Sequence, residues 1–223
     1  MAVARSSALR AEFRLAAAAL AGCLALPVGA APFAYVTNQA SDDVAVIDLP
    51  SGNRVATLAV GRAPAGVVVM AKPRRVFVTN PESHDVAVIE RGATPAADRL
   101  IARLPAGQAP LGIEADDAAG RIYVSDMSGN QLLVFAADSL ERIAAVPVGR
   151  GPGGIAVDKR RGRVYVADRD DNAVAVIDTA TWQRLPDIAV GAHPFGLALA
   201  PAGDRLLSPM SSLPASRWSI SPA

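Results

Sequence analysis

Short apolar runs separated by polar turns recur along this chain at a nearly constant spacing. The stretch AYVTNQASDDVAVID opens the pattern at residues 34–48. Its copies begin at residues 76, 122 and 164, so the first and last steps are equal and the middle step is longer. A second marker, GRAPAG at 61–66, returns at residues 107, 149 and 191. The longer step coincides with extra residues in ATPAADRLIARL, and the chain is therefore built from sequence repeats of one basic length.

Each repeat has the pattern of four short strands. In the first repeat the apolar runs at residues 34–37, 44–47, 54–60 and 66–70 are separated by turn-forming residues such as QASDD and LPSGN. No window after residue 30 has the apolar spacing of a helix. Four strands in about 40 residues are typical of a β-propeller blade, which buries its faces against neighbouring blades.

The residues VTN at 36–38 and 78–80, varied to VSD at 124–126 and VAD at 166–168, resemble the YVTN-type β-propeller repeat family. The resemblance covers about residues 33–207. It implies an all-β propeller of four-stranded antiparallel blades, within the quinoprotein-dehydrogenase-like superfamily of exported bacterial propellers. Similar propellers include quinoprotein subunits and lactonase-like enzymes, but no catalytic residue of theirs carries over to a position of this chain.

The blade count predicts an incomplete ring. Residues 31–207 hold about 4.5 repeats, whereas this family usually closes about seven blades. The tail at 208–223 is rich in Ser and Pro, and proline cannot donate to a strand ladder. We therefore expect a truncated or short form whose blades make an open arc. The alternative is a closed four-bladed ring, in which residues 195–200 complete the first blade.

The first thirty residues have the pattern of a signal peptide. Three arginines precede the apolar run LAAAALAGCLAL at 15–26, which is too short to span a bilayer, and small residues lead to Ala30. We expect cleavage after Ala30 and a periplasmic or secreted protein. The alternative is a lipid anchor on Cys23, because LAGC at 20–23 resembles a lipobox.

Composition excludes several classes of protein. The chain is 51% hydrophobic and 19% charged, with a net charge of +1, so it has no strong field for a nucleic acid or a membrane surface. Cys23 is the only cysteine, and His84 and His193 are the only histidines. The sequence contains no nucleophile elbow, phosphate-binding loop or zinc-protease motif, and it predicts no catalytic residue, metal site or cofactor.

The up-and-down path of the strands sorts the turns onto two faces. One face carries the QASDD-type turns and the GRAPAG-type loops, and the other carries the basic turns. The candidate ligand-binding residues on the first face are His193, Arg62, Arg150, Asp170 and His84. The basic underside consists of Lys72, Arg74, Arg75, Lys159, Arg160 and Arg161. The alternative is that both sets only form turns and keep the protein soluble. Residues 168–172 also begin like a calcium loop but lack its glycine and closing glutamate.

These observations favour an exported, non-enzymatic module that binds or scaffolds a protein or a small molecule. The alternative is a fragment of a quinoprotein- or lactonase-like enzyme or enzyme subunit. Nucleic acid is not expected as a partner, because no aromatic residues are interleaved with the basic turns. An open arc exposes apolar blade faces at both ends, so self-association through the end blades is expected.

Overall fold

The computed structural model describes residues 32–208. These residues form five antiparallel sheets, which follow one another along the chain as blades. The first blade contains β1 (Phe33–Asn38), β2 (Asp43–Asp48) and β3 (Arg54–Ala59). The second contains β4 (Val67–Met70), β5 (Arg75–Asn80), β6 (Asp85–Glu90) and β7 (Arg99–Pro105). The third contains β8 (Pro110–Asp116), β9 (Arg121–Asp126), β10 (Gln131–Ala136) and β11 (Arg142–Pro147).

The fourth blade contains β12 (Pro152–Asp158), β13 (Arg163–Asp168), β14 (Ala173–Asp178) and β15 (Arg184–Ala189). The fifth blade is partial, with β16 (Ala198–Leu199) and β17 (Leu206–Leu207). Three short 3₁₀ turns lie at Pro81–Ser83, Pro95–Ala97 and Arg169–Asp171. The strands agree with the predicted apolar runs to within a residue or two.

The sheets formed by residues 32–208 do not close into a ring. Each complete blade runs from an inner strand, the first in its sequence, to an outer strand, the fourth. The first blade has no inner strand among the described residues, because β1 is the repeat counterpart of β5. β16 pairs with β17 and not with β1. The prediction of an open partial propeller is thus confirmed.

The core lies between the blades. In each hydrophobic cluster, apolar side chains of one blade pack on those of the next. Phe77, Tyr123 and Tyr165 occupy equivalent positions in successive repeats, and each lies in one of these clusters. Successive side chains of a strand point to opposite faces of the sheet. The apolar residues of the VFV- and VAV-type runs are therefore buried against the preceding blade and the following blade in turn. A single blade therefore has no core of its own.

A hydroxyl group joins the inner parts of successive blades. The Thr79 hydroxyl accepts from the Gly66 N–H (2.8 Å) and donates to the Leu111 carbonyl of the third blade (2.8 Å). Ser125 repeats this arrangement one blade later, accepting from Gly112 (2.8 Å) and donating to Gly153 (2.6 Å). The blades thus share a buried hydrogen-bonded link at the VTN position.

The close approach of the inner strands requires glycine. A Cβ atom at Gly112 would lie 2.3 Å from the carbonyl oxygen of Gly153 in the next blade. In the fourth blade Ala167 replaces the hydroxyl residue, and there the Gly154 N–H donates directly to the Phe195 carbonyl at 2.6 Å. The variation from VTN to VAD therefore has a structural reason, since a direct backbone bond replaces the hydroxyl link.

The extra residues of the second blade contact the first blade. Residues 91–98 fold around the turn Pro95–Ala97, and the buried Asp98 accepts from the Tyr35 hydroxyl at 2.6 Å and from the Gly92 N–H at 2.9 Å. Burial, together with Asp98, raises the pKa of Tyr35 to about 12. The insertion thus gives Tyr35 a polar partner from the neighbouring blade.

Replacing the Ser125 hydroxyl tests the link between blades. Ser125→Ala leaves the Gly112 N–H and the Gly153 carbonyl without the hydroxyl, and we expect the free energy of unfolding to fall by about 1–3 kcal/mol. Urea unfolding followed by circular dichroism measures this change. Ser139→Ala is the control, since Ser139 is exposed. A loss no larger than that of the control would show that the link contributes nothing.

Candidate functional site

The loop face is held together by asparagine and aspartate side chains. Asp42, Asn130 and Asn172 each occupy the last position of a turn, with φ between 52° and 59°. These turns join β1 to β2, β9 to β10 and β13 to β14. Each side chain accepts a backbone N–H from the GRAPAG-type loop that follows a blade. The three bonds run from Ala63 to Asp42 (2.8 Å), from Gly151 to Asn130 (3.1 Å) and from His193 to Asn172 (2.9 Å). These turns and loops therefore share one face, as the sequence predicts.

Both histidines take part in this turn and loop system. His84 occupies the same left-handed turn position, with φ of 59°, and its Nδ1 contacts the carbonyl oxygen of Gln108. Because its Nδ1 donates to this carbonyl, His84 does not accept a backbone N–H as Asp42, Asn130 and Asn172 do. The N–H groups of Gln108 and Ala109 donate to the Asp126 carboxylate instead. His193 uses its backbone N–H, and its residue is exposed. The structure does not bring the two histidines into one site.

The two candidate arginines clamp a loop onto a turn. The Arg62 guanidinium donates to the Glu82 carbonyl (2.7 Å), and its backbone N–H donates to the Ser83 hydroxyl (2.7 Å). Arg150 does the same in the fourth blade, where its Nε and backbone N–H both bind the Asp171 carboxylate at 2.7 Å. These bonds lower the pKa of Asp171. Both arginines therefore stabilise the loop that leads into a blade by bonding it to a turn of that blade.

Asp170 lies in the same 3₁₀ turn, and its carboxylate is 3.4 Å from Arg169. With Asp171 held by Arg150 and Asp168 buried, the three aspartates of the calcium-like stretch point to separate partners. Among the described residues no group of three or more His, Cys, Asp or Glu side chains is arranged to hold a metal ion.

Most of the basic underside bridges neighbouring blades or turns. Arg75 donates to the carbonyls of Ala137 and Asp138 in the next blade. The remaining contacts are Arg74 to the Gly92 carbonyl (2.8 Å), Lys159 to Asp116 (3.3 Å), Arg160 to the Ala202 carbonyl (2.7 Å) and Arg161 to Asp158 (2.7 Å) and the Gly203 carbonyl (2.6 Å). Lys72 is exposed in the same turn region. These side chains thus contribute contacts both within and between blades.

One polar position of the repeat is buried in the second, third and fourth blades. Asn38, Asn80, Asp126 and Asp168 end β1, β5, β9 and β13, which are the first strands of their repeats, and the last three side chains are fully buried. Each is paired across the turn with the first residue of the strand that follows. The pairs are Asn38–Asp43 (2.7 Å), Asn80–Asp85 (2.7 Å), Asp126–Gln131 (2.9 Å) and Asp168 opposite Ala173. An amide and a carboxylate therefore face one another in three repeats, but not in the fourth.

Asp126 and Asp168 differ in pKa because they have different hydrogen-bond donors. Burial opposes ionisation of Asp126, but the Gln131 amide and three backbone N–H groups outweigh it and lower its pKa. Asp168 is also fully buried, with one N–H bond from Gly149 (2.9 Å) and Arg184 at 3.7 Å. Its Oδ1 has no hydrogen-bond partner. Burial raises the pKa of Asp168 to about 6.

Sequence reasoning missed this position, and it considered Asp168 only as the start of a calcium-like loop. The signal was present in the alternation of amide and carboxyl residues five positions apart, Asn with Asp and then Asp with Gln.

The last described blade face is open. The fifth blade covers the inner part of the fourth blade, where Leu206 packs with Tyr165 and Val174. Farther out lies a groove of about 800 Å³. Its lining residues are Arg161, Arg163, Tyr165, Val176, Leu185, Pro186, Asp187 and Ile188. On the fourth blade this is the surface on which the outer strands of a following blade would pack.

Restoring the missing amide tests the electrostatics of Asp168. Because its folded-state pKa is raised above about 3.9, the free energy of unfolding loses up to ~3 kcal/mol as the pH rises through 6. Ala173→Gln supplies the amide that Gln131 gives Asp126, so we expect it to stabilise the protein at about pH 7.5 and to change little at about pH 4.

The reciprocal variant is Gln131→Ala, which should raise the pKa of Asp126 and destabilise the third blade at neutral pH only. Denaturant unfolding of both variants at the two pH values measures these changes. Equal effects at both pH values would mean that packing, and not ionisation, causes them.

Blades of four antiparallel strands, each packed on the next, define a β-propeller, here an open arc without a closed sheet. The model of the YNCE-like beta-propeller family matches residues 18–203, and the chain belongs to this family. No curated protein matches the sequence significantly. No helix among residues 32–208 is long and apolar enough to cross a membrane.

Solved structures share the fold. Hydrazine synthase from Kuenenia stuttgartiensis has a TM-score of 0.70 and 18% identity, and the match covers 83% of this chain and 55% of that one. A functionally unknown protein from Desulfotomaculum acetoxidans gives 0.68 and 15%, covering 79% and 58%. A "putative 6-phosphogluconolactonase" from Bacteroides uniformis gives 0.70 and 14%, covering 81% and 61%. The chain thus spans just over half the length of these neighbours.

Proposed function

We propose that this protein is an exported, non-enzymatic propeller module that binds an extended polypeptide at the open edge of its first blade. The observation that carries the proposal is the position of β1. Every complete blade places an inner strand beside its second strand, whereas β1 pairs with β2 alone. The slot for one inner strand is therefore vacant among the described residues of the first blade.

The β1 edge has the properties of a strand-addition site. It presents six residues, Phe33–Asn38, whose outer backbone groups have no strand partner within residues 32–208. Val36 is 45% exposed on it. An added strand gains main-chain hydrogen bonds along this edge and selectivity from alternate side chains. A partner segment with the alternating apolar pattern of an inner strand, from another protein or a second copy, fits this slot.

The enzymatic alternative has less support. The polar groups of Arg62, Arg150 and His84 form hydrogen bonds with neighbouring turns and loops, as described above. The resemblance to hydrazine synthase, at 18% identity, and to the lactonase, at 14%, supports the fold alone. Export rests on residues 1–30, and both this segment and the Ser/Pro-rich tail lie outside the described residues, apart from Ser208.

A peptide titration tests the edge. The probe is a fluorescent peptide of residues 150–160, which carries the inner strand β12, and its scrambled version is the control. We expect micromolar binding to the whole chain by fluorescence anisotropy. Val36→Lys places a charge on the edge and should weaken binding by about tenfold or more, since edge lysines oppose strand addition.

Val55→Lys is the matched control, because Val55 is also 45% exposed but lies on the outer strand β3. Light scattering adds a second readout. A discrete dimer that Val36→Lys converts to a monomer would place a second copy's segment in the slot, as expected for self-association through an end blade. Equal binding by wild type and both variants would sink the proposal.

Processing tests the export part of the proposal. In a bacterial host we expect secreted or periplasmic protein whose first residue is Ala31, because the small residues before it fit a signal-peptidase site. Intact mass spectrometry and N-terminal sequencing measure this. Cys23→Ser should leave processing unchanged. A lipid-modified Cys23 at the N-terminus would establish the anchored alternative, and an unprocessed cytoplasmic chain would contradict export altogether.

A further inference from the structure

The groove on the fourth blade is the repeat counterpart of a site that is filled one blade earlier. In the third blade, Trp182 from the fourth blade packs on Tyr123, with ring centroids 6.4 Å apart. The Arg121 guanidinium lies over the Trp182 ring at 5.0 Å and donates to the Thr179 carbonyl. An arginine and a tyrosine thus hold an indole that arrives from the next blade.

The fourth blade presents the same pair without an indole. Arg163 and Tyr165 lie one repeat after Arg121 and Tyr123, and both line the groove of about 800 Å³. The other lining residues follow the same rule. Val176, Pro186 and Ile188 are the counterparts of Val134, Ala144 and Val146, which pack in the cluster that Trp182 joins. The groove is therefore a blade-facing surface shaped for an aromatic side chain with apolar neighbours.

The chain contains one other tryptophan, Trp218, in the segment that follows the described residues. The sequence from 209 to 223 reads PMSSLPASRWSISPA, in which Trp218 and Ile220 are two residues apart. In an extended segment two such side chains lie on one face. The strand β17 ends at Leu207 beside the groove, since its neighbour Leu206 packs with Tyr165. Eleven further residues reach at most about 36 Å when extended, which is ample for a surface on the adjacent blade.

We propose that residues 209–223 of this chain dock in the groove, with Trp218 seated between Arg163 and Tyr165 as Trp182 is seated on Arg121 and Tyr123. The segment then covers the apolar end of the arc in place of the outer strands of a fifth blade. Its prolines are compatible with this role, because side-chain docking does not require the strand ladder that proline interrupts. The proposal is independent of the strand-addition site at β1.

Fluorescence tests the docking on the full chain. Trp182→Phe leaves Trp218 as the sole tryptophan. We expect a blue-shifted emission and a rate constant for acrylamide quenching several-fold below that of a free indole. Subtracting the spectrum of Trp218→Phe from that of the wild type gives the same quantity without altering Trp182, in case that change disturbs the blades.

Leu185→Glu places a charge in the groove and should restore strong quenching of Trp218. Ile143→Glu is the matched control, since Ile143 is the counterpart of Leu185 in the third blade and is 42% exposed. A solvent-exposed indole in the first experiment would overturn the proposal, as would protection that survives Leu185→Glu. Protection that appears only at high protein concentration would overturn it in favour of a segment donated by a second copy.

Discussion

The contact between neighbouring blades is the constraint on which the rest of this structure depends. A single twisted sheet of four short strands cannot bury either face, so every core cluster is shared by two blades. At the inner end the approach is close enough that Gly112 cannot carry a Cβ atom, and a threonine or serine hydroxyl joins the backbone of one blade to the next. The VTN signature records this contact, and its apolar residues supply the shared core.

The same constraint explains why charged side chains on both faces are engaged. Each loop between blades leads into the inner strand of the next blade and has to be held in one position. Hydrogen bonds from Arg62 and Arg150 to neighbouring turns hold two of these loops on one face. On the other face, Arg75 and Arg160 reach carbonyl groups of the following blade. The contacts that these arginines make with neighbouring turns and blades therefore help to hold successive blades together.

The fold could be predicted from the sequence because its signals are local. Strand alternation and turn residues place β1 at 34–37 by pattern, and the structure has it at 33–38. The repeat register also identifies β1 as the counterpart of β5. The roles of the candidate residues could not be predicted in the same way. Whether Asp126 faces solvent or the interior depends on the loop of the blade that covers it, and whether Arg150 is free depends on Asp171 lying 2.7 Å away.

The departures from the repeat accumulate in the fourth blade. Ala167 leaves a backbone bond in place of the hydroxyl link, Ala173 removes the amide that a buried carboxylate needs, and among the described residues the outer face has no complete blade against it. In a structure whose stability is a sum over units and their interfaces, each of these changes falls on the same unit. At neutral pH the ionised Asp168 adds a further cost there, since burial raises its pKa to about 6. We therefore expect local opening at the fourth and fifth blades before the third, and we expect a segment that covers this end to stabilise them.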